Sequence, residues 1–338
     1  MNDVDRTRYL LTEAENEQIF RSRIVRTALD GTRQDRPVVV FVAGQTGAGK
    51  TSVTELATTA LARRGTPVNI NLDTYKPQHP RYDQLVAEDD LTAGAYTSID
   101  GHKWMEKAEA YAIEQRFDVV MESAMRDPRD FEEPARRFRA AGYQVEVLIV
   151  AVHESQSRLG ALDRYVQQQN EFGSGRFIDP QIHDACYDGV LRASDAIDDE
   201  RLADRVFVVR RDAQVVYSNQ LGPDGQWQRP AGTAEAVAAE RNRPWSPQET
   251  HQHLNSVRRV RSGAAELGDS AAKQSVAAEA KTIEALARPL LDKDVMTVRL
   301  ADAGVAPVRA GPPVGGVVAK AAVRVTGTEK GTRAHGVE

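Results

Sequence analysis

Residues 44–51 have the spacing of a loop that binds phosphate groups. The segment, GQTGAGKT, matches G-x-x-x-x-G-K-[ST] between a β-branched apolar run and a helical pattern. Glycines let such a loop turn its backbone N–H groups toward phosphate oxygens, and the helix N-terminus adds positive potential. We expect Lys50 to contact the β- and γ-phosphates and the Thr51 hydroxyl to bind Mg²⁺. The predicted nucleotide-binding residues are Gly44, Gln45, Thr46, Gly47, Ala48, Gly49, Lys50, Thr51 and Ser52.

Two acidic residues follow predicted strands and could act on an alcohol. Asp73 follows a predicted central strand at 68–72, and Glu122 follows one at 118–121. The carboxyl ends of parallel strands lie at one edge of the sheet, where ligands bind. One carboxylate could orient or deprotonate a hydroxyl while the other contacts metal or substrate, which predicts phosphoryl transfer to an alcohol. Asp73 alone could equally be a helix cap or a turn residue.

The elements that must position these residues form an alternating pattern. A continuous β-branched run at 37–43 is typical of a strand buried on both faces. Strands separated by helices indicate βαβ crossovers, so we predict a three-layer α/β fold with a mostly parallel sheet. The other predicted strands cover 68–72, 118–121, 144–152 and 206–209, and the predicted helices of this part cover 8–30, 51–64, 101–116 and 130–141.

The chain divides into four predicted parts. An N-terminal helix belongs to 1–35, and a P-loop kinase core occupies 36–228. Within the core, 153–200 is unusually long for one crossover, and we interpret it as a helical insertion over the sheet edge, a candidate lid. A helical extension follows at 229–302. Residues 303–338 are rich in Ala, Gly, Val and Pro without a clear period, which predicts a disordered tail.

Composition excludes several classes of protein. The 338 residues are 41% hydrophobic and 28% charged, which is typical of a globular chain with a core. The apolar runs are far shorter than the ~18–20 residues that span a bilayer, and the N-terminus has no secretory signal, so we expect a cytoplasmic location. The net charge of -5 does not favour a nucleic-acid binder. The single cysteine, Cys186, excludes an internal disulfide.

Several ordered segments resemble the zeta toxin family of P-loop kinases, the toxin halves of bacterial toxin–antitoxin pairs and related free-standing chains. After the P-loop, residues 73–82 (DTYKPQHPRY) resemble the family's D-[ST]-[FY]-x-x-x-H-P-x-[FY] segment. Residues 121–126 (MESAMR) are similar to its [IM]-E-[GS]-x-x-R segment, and residues 159–165 (LGALDRY) to its L-G-x-x-x-R-Y segment. Arg176 lies about where the family has a second arginine. The resemblance covers residues 20–225.

This resemblance implies an activity and assigns roles. It implies a kinase that phosphorylates the 3′-hydroxyl of the amino sugar in UDP-N-acetylglucosamine, using ATP or GTP with Mg²⁺. Asp73 would take the hydroxyl proton, Lys50 and Thr51 would bind phosphate and metal, and two lid arginines would contact the transferring phosphate. An antitoxin protein is the implied partner. The lid arginines are Arg164 and Arg176, and the implied substrate contacts are Asp73, Glu106, Glu122 and Arg126.

Departures from the family pattern keep two alternatives open. The family commonly has Gly where this chain has Ser123, and a small polar residue where it has Ala124. Both positions lie near the expected sugar site. The acceptor could therefore be another small alcohol, such as a nucleoside, a sugar or a drug. The second alternative is a nucleotide-binding module without turnover. The presence of all four predicted catalytic residues disfavours it; these are Lys50, Asp73, Arg164 and Arg176.

Overall fold

The computed structural model describes residues 5–302, which form a six-stranded sheet with helices on both faces. The strands are β1 (Val38–Ala43), β2 (Val68–Ile70), β3 (Val119–Ser123), β4 (Gln144–Val150), β5 (Arg205–Val209) and β6 (Val215–Gln220). The helices are α1 (Glu13–Ile19), α2 (Val25–Ala28), α3 (Lys50–Leu61), α4 (Leu72–Tyr75), α5 (Tyr82–Glu88), α6 (Asp90–Tyr96), α7 (Ser98–Gln115), α8 (Arg129–Ala140), α9 (Glu154–Phe172), α10 (Pro180–Glu200), α11 (Thr233–Asn242), α12 (Pro247–Glu266), α13 (Ser270–Ala287) and α14 (Lys293–Asp302).

The sheet has the strand order β2-β3-β1-β4-β5-β6. The first five strands are parallel, and β6 pairs antiparallel with β5. β1 lies in the middle, between β3 and β4, and all six of its residues are buried. The predicted α/β fold with a mostly parallel sheet is confirmed.

Side chains alternate between the two faces of β1, which separates two apolar layers. Val39 and Phe41 pack with residues of α7, α8, α10 and α11 on one face. Val40 and Val42 pack with the apolar side of α3 on the other. Burial on both faces explains why the sequence of this strand is continuously apolar. The carboxyl end of β1 is thereby fixed from both sides, and the phosphate-binding loop starts there.

Two of the predicted elements are corrected by the structure. The strand predicted at 68–72 stops at Ile70, because Asn71 begins α4 and its Oδ1 accepts a hydrogen bond from the Asp73 N–H. This strand lies at the edge of the sheet and not at its centre, since β3 lies between β2 and β1. The helix predicted at 8–30 begins at Glu13, where Thr12 forms a capping box, and contains a π-helical turn at Phe20–Ile24.

The segment 153–200 is not one lid unit, because its two helices have different surroundings. α10 packs against the sheet with Val190, Ala193 and Ile197, as a crossover helix of the core. α9 instead packs against α12 and α13 in a separate apolar cluster. The helical extension from 229 onward therefore contacts the predicted lid directly. The tail predicted at 303–338 lies outside the described residues.

In the described part of the chain, no helix is long and apolar enough to cross a membrane.

Candidate active site

The loop predicted to bind phosphate connects the end of β1 to the start of α3. Gly47 and Gly49 have φ angles of 79° and 91°. Residues with a side chain rarely adopt such backbone angles, so the loop needs glycine at both positions. Gly49 immediately precedes α3. The loop therefore leads into a helix N-terminus whose first N–H groups lack partners in the helix and can bind phosphate oxygens.

Lys50 begins α3, and its side chain folds back over the loop. Its Nζ donates hydrogen bonds to the carbonyl oxygens of Gly44 at 2.7 Å and Gln45 at 3.4 Å. Burial lowers the pKa of Lys50, and the negative charges of Glu122 and Asp73 oppose this shift. The ammonium group thus lies within electrostatic range of both carboxylates that the sequence singles out.

The remaining polar side chains of the loop are accessible from outside the protein. Thr51 and Ser52 are exposed at the start of α3, and Thr46 is half-buried. A magnesium ion that binds with phosphates keeps several waters and needs few protein ligands. An exposed hydroxyl at this helix start fits that requirement, so the Mg²⁺ contact of Thr51 stays a prediction with a suitable donor in place.

Gln45 holds the loop from behind through a buried hydrogen-bond network. Its side-chain Nε2 donates to the carbonyl oxygen of Val152 and to the hydroxyl of Ser157, both at 3.1 Å. Its Oε1 accepts a hydrogen bond at 3.1 Å from Nη2 of Arg241. Gln45 and Arg241 are almost wholly buried. The loop is therefore linked both to the start of α9 and to α11.

Arg241 is a residue that the sequence did not single out. Its guanidinium donates to the carbonyl oxygen of Tyr187 at 3.0 Å and lies 3.8 Å from the centroid of the Tyr187 ring. Burial lowers the pKa of Arg241 to about 10, so the group stays charged at neutral pH. A buried guanidinium with hydrogen bonds and a ring contact fixes the elements that it joins.

Arg211 is the second unpredicted arginine at the loop. It lies between β5 and β6, and its Nε donates to the carbonyl oxygen of Ala48 at 3.1 Å. Its Nη2 donates to the carbonyl oxygens of Gly47 and Gln156. Desolvation lowers the pKa of Arg211 to about 10. Arg211 therefore joins the outside of the loop to the first turn of α9.

The loop and α9 approach each other so closely that two glycines are required. A Cβ on Gly47 would lie 2.0 Å from the carbonyl oxygen of Ser157, and a Cβ on Gly160 would lie 2.7 Å from that of Gly47. Real side chains do not approach backbone this closely. The glycine of the LGALDRY segment thus has a physical role: it lets α9 lie directly on the phosphate-binding loop.

Asp73 lies in the first turn of α4 with its carboxylate exposed and surrounded by cations. Nζ of Lys76 is 3.4 Å from its Oδ1, and Nη1 of Arg176 is 3.7 Å from the same atom. Desolvation would raise the pKa of Asp73, but the positive charges of Lys76, Arg176 and Arg164 outweigh it and lower that pKa. Asp73 is therefore ionised at neutral pH, as a base must be before it accepts a proton.

The two predicted lid arginines approach this site from different segments. Arg164 is exposed on α9 and acts electrostatically on Asp73 and Lys50. Arg176 lies in the connection between α9 and α10 and forms the ion pair with Asp73. The structure thus brings Lys50, Asp73, Arg164 and Arg176 into one electrostatic group, although they come from four segments of the chain.

Of the predicted substrate residues, Glu122 lies in β3 next to α3, and Arg126 lies just after β3. Oε1 of Glu122 accepts a hydrogen bond at 2.9 Å from the Thr54 hydroxyl, one turn along α3 from Lys50. Arg126 is exposed after β3. Between them, the Ser123 hydroxyl accepts a hydrogen bond from the N–H of Met125, whose φ is 49°. Ser123, where the family commonly has Gly, therefore supports a strained turn.

Glu106 has a different environment from the other predicted substrate residues. It is exposed on α7 and contributes to raising the pKa of Glu109, which burial raises to about 7. Glu109 in turn pairs with Arg137 of α8 at 2.5 Å. Among the described contacts, none joins Glu106 to Asp73, and its role toward a substrate stays a prediction.

Comparisons with known proteins identify a family and several relatives of this chain. A family model described as zeta toxin matches residues 23–222. The toxin PezT of Streptococcus pneumoniae is 23% identical over 204 residues, which cover 59% of this chain and 79% of that protein. The toxin zeta of Streptococcus pyogenes is 23% identical over 224 residues, which cover 66% of this chain and 75% of that protein.

A solved structure shares the fold. It comes from the PezAT chromosomal toxin–antitoxin system of Streptococcus pneumoniae and aligns with a TM-score of 0.65 at 19% identity. The alignment covers 75% of this chain and 98% of that chain. The common fold therefore covers three quarters of this chain.

Proposed function

The chain belongs to the zeta toxin family, and from this premise we propose that it transfers the γ-phosphoryl group of ATP or GTP to the 3′-hydroxyl of the amino sugar in UDP-N-acetylglucosamine. The family model matches more than half of the chain, including the loop and both carboxylate segments. The observation that carries the proposal is the ionised carboxylate of Asp73, which lies with Arg164 and Arg176 beside the lysine of a phosphate-binding loop.

On the nucleotide side, the loop and the start of α3 bind the phosphates. Backbone N–H groups of 44–52 point at phosphate oxygens, and Lys50 exchanges its carbonyl partners for the β- and γ-phosphates when nucleotide binds. The Thr51 hydroxyl would hold Mg²⁺ in part, and the ion would supply positive charge to the phosphates. This arrangement fixes the phosphoryl donor before the acceptor arrives.

On the acceptor side, Asp73 accepts the proton of the attacking hydroxyl. The hydroxyl oxygen forms a bond to the γ-phosphorus, the bond to the leaving oxygen breaks, and the nucleoside diphosphate departs. Negative charge spreads over the equatorial oxygens of the group in transfer, where Arg164 and Arg176 stabilise it. Glu106, Glu122 and Arg126 hold the sugar nucleotide.

One observation favours a different acceptor as the second candidate. The Ser123 side chain occupies the position where the family commonly has Gly, and its hydroxyl already accepts a hydrogen bond from Met125. A side chain there changes the shape of the expected sugar site. A P-loop kinase for another small alcohol, such as a nucleoside, another sugar or a drug, uses the same donor residues and the same base.

An antitoxin protein is the partner that this function implies. The solved structure with the same fold comes from a toxin–antitoxin system. An enzyme that removes an essential sugar nucleotide needs an inhibitor in the cell that produces it. We propose that a cognate inhibitor protein binds this chain.

Product identification tests the proposal. The full chain is incubated with UDP-N-acetylglucosamine, ATP and Mg²⁺. The sugar nucleotides are then separated, and their masses are determined by mass spectrometry. A gain of one phosphate, placed on the 3′-oxygen by NMR, is the expected result. Parallel reactions contain UDP-glucose, a nucleoside or no acceptor. Phosphorylation of another alcohol with none on UDP-N-acetylglucosamine would establish the second candidate, and ATP binding without any transfer would establish the module without turnover.

A further inference from the structure

We propose that Lys76 is a positioning residue for the Asp73 carboxylate, whose Oδ1 it holds so that Oδ2 faces the acceptor; this rests on the proposed role of Asp73 as the base. Lys76 lies three residues after Asp73, in the 3₁₀ turn Lys76–Gln78 that follows α4. The two residues therefore belong to one short segment. Neither the loop nor the lid arginines have this relation to the base.

The ion pair between the two residues is unusually asymmetric in exposure. The Lys76 side chain is 9% exposed, whereas that of Asp73 is 72% exposed, and Nζ is 3.4 Å from Oδ1. Lysine is almost never so buried unless it is paired. The ammonium group thus lies beneath the carboxylate, on the protein side, while the carboxylate faces the open site.

The stem of Lys76 is fixed by close packing against α7. Gly101 of α7 is buried, and a Cβ there would lie 2.7 Å from Cδ1 of Leu72 and 3.4 Å from Cγ of Lys76. The backbone of α7 therefore lies directly against the turn that carries the lysine. A lysine whose stem is held in this way loses little further freedom when it pairs with a carboxylate.

The end of the turn is fixed as well. His79 is buried, its Nδ1 accepts a hydrogen bond from the N–H of Arg81, and its Nε2 donates to the carbonyl oxygen of Tyr9 at 3.1 Å. These bonds join the turn to the segment before α1. Lys76 therefore projects from a segment held at both sides, which suits a residue that must place another group.

The charges around Asp73 come from several elements, and their positions distinguish the two oxygens of its carboxylate. Lys76 and Arg176 both make their shortest approach to Oδ1, at 3.4 and 3.7 Å. Arg164 and Lys50 act from α9 and the loop, and Tyr82 of α5 has a pKa raised by burial and by the charge of Asp73. We assign Oδ2 as the atom that accepts the hydroxyl proton, with Oδ1 held by the cations.

A pH profile separates this role from a merely structural one. Lys76→Met keeps the stem and removes the positive charge beside the carboxylate, so the pKa of Asp73 rises. The acid limb of kcat/KM reports the free enzyme and moves to higher pH with that pKa. We expect kcat to fall about 10- to 100-fold, as for a group displaced by about 1 Å, with the ATP affinity unchanged. Because Lys76→Arg keeps a positive charge, its acid limb is expected to stay at the pH of the wild type.

Controls keep the result specific. Lys273→Met removes an exposed lysine on α13 and is expected to change neither kcat nor the acid limb. The role of Lys76 would be overturned if Lys76→Met changed neither the acid limb of kcat/KM nor kcat. It would also be overturned if Lys76→Arg moved the acid limb as far as Lys76→Met does. A fully active Asp73→Asn would instead overturn the proposed function, so the two failures are distinguishable.

A second measurement covers the case in which Lys76→Met does not fold. The carboxyl carbon of Asp73 is titrated by NMR in the wild type and in Arg176→Gln. Because Lys76 remains, the pKa of Asp73 is expected to stay below the usual value of about 3.9 in both proteins. If the pKa of Asp73 returned to its usual value in Arg176→Gln, the lowering of this pKa would be due to Arg176, and the proposal would be overturned.

Discussion

The nucleotide side and the acceptor side of the candidate site are built by different means. On the nucleotide side, Gln45 and Arg241 are almost wholly buried and joined by a hydrogen bond of 3.1 Å. On the acceptor side, the Asp73 side chain is 72% exposed, and the cations lie 3.4 and 3.7 Å from it. One side is a buried hydrogen-bonded structure, and the other is a group of charges that face the open site.

This difference separates stability from chemistry. Buried hydrogen bonds fix geometry strongly, because a partner that is lost leaves a buried polar group unpaired. Exposed ion pairs contribute little to stability but set the protonation state of the groups that they surround. We therefore expect changes behind the loop to reduce stability, and changes around Asp73 to reduce rate.

A large effect on rate is expected at Lys50, whose charge acts on both sides of the site. Lys50→Ala removes the ammonium group from the phosphates and should lower phosphoryl transfer by about 10²–10³-fold or more. The fold should persist, because Lys50 lies at the first position of α3 and not in the apolar core. Activity is measured as nucleotide consumption, with circular dichroism as the check on folding and Lys273→Ala as the matched control. Normal turnover by Lys50→Ala would refute the assignment of the loop.

A pair of arginine variants tests the comparison itself. Arg241→Met leaves the buried Oε1 of Gln45 without its hydrogen-bond donor, so we expect a loss of about 1–3 kcal/mol in the free energy of unfolding. Arg176→Met removes a half-exposed ion pair and should cost less than about 0.5 kcal/mol while it lowers kcat. Urea unfolding measures both. Equal losses of stability would contradict the division between the two sides.

The smallest effect is expected at the end of the chain. Residues 303–338 contain no Phe, Trp or Tyr and no helical period. Such a composition lacks the apolar surface needed to build a core. A chain that ends at residue 302 should keep the kcat and the melting temperature of the full chain. A several-fold loss of activity in that truncation would show that the last residues contribute to the site.

The comparison also explains what the sequence could predict. The phosphate-binding loop is a local pattern, since its glycines and Lys50 lie within eight residues whose context is a strand and a helix. The parallel sheet follows from the β-branched runs for the same reason. Both are confirmed because short-range sequence determines them.

The unpredicted features depend on contacts between distant parts of the chain. Arg241 and Gln45 are 196 residues apart, and Arg211 is 163 residues from Ala48. Nothing in the local sequence of either arginine differs from that of a surface helix or turn. Likewise, the edge position of β2 depends on which strand lies beside β1, and periodicity does not contain that information.

Glu106 illustrates the same limit on the acceptor side. The family resemblance places it with the substrate residues, whereas the described interaction of Glu106 is with the charge of Glu109. Helical spacing gives the face of α7 on which a residue lies but not the distance from that face to the phosphate-binding loop. The location of an acceptor molecule is what decides whether Glu106 contacts it.

The central claim is that Asp73 acts as the base at a nucleotide site that is formed without it. Asp73→Asn keeps the shape of the side chain but cannot accept the proton, so kcat should fall about 10²–10⁴-fold. Calorimetric titration should show unchanged ATP affinity. The matched control is Asp212→Asn, which changes an exposed carboxylate that accepts a hydrogen bond from the N–H of Gln214 and should keep both properties. Equal transfer rates for Asp73→Asn and the wild type, with folding verified, would contradict the account and direct attention to Glu122.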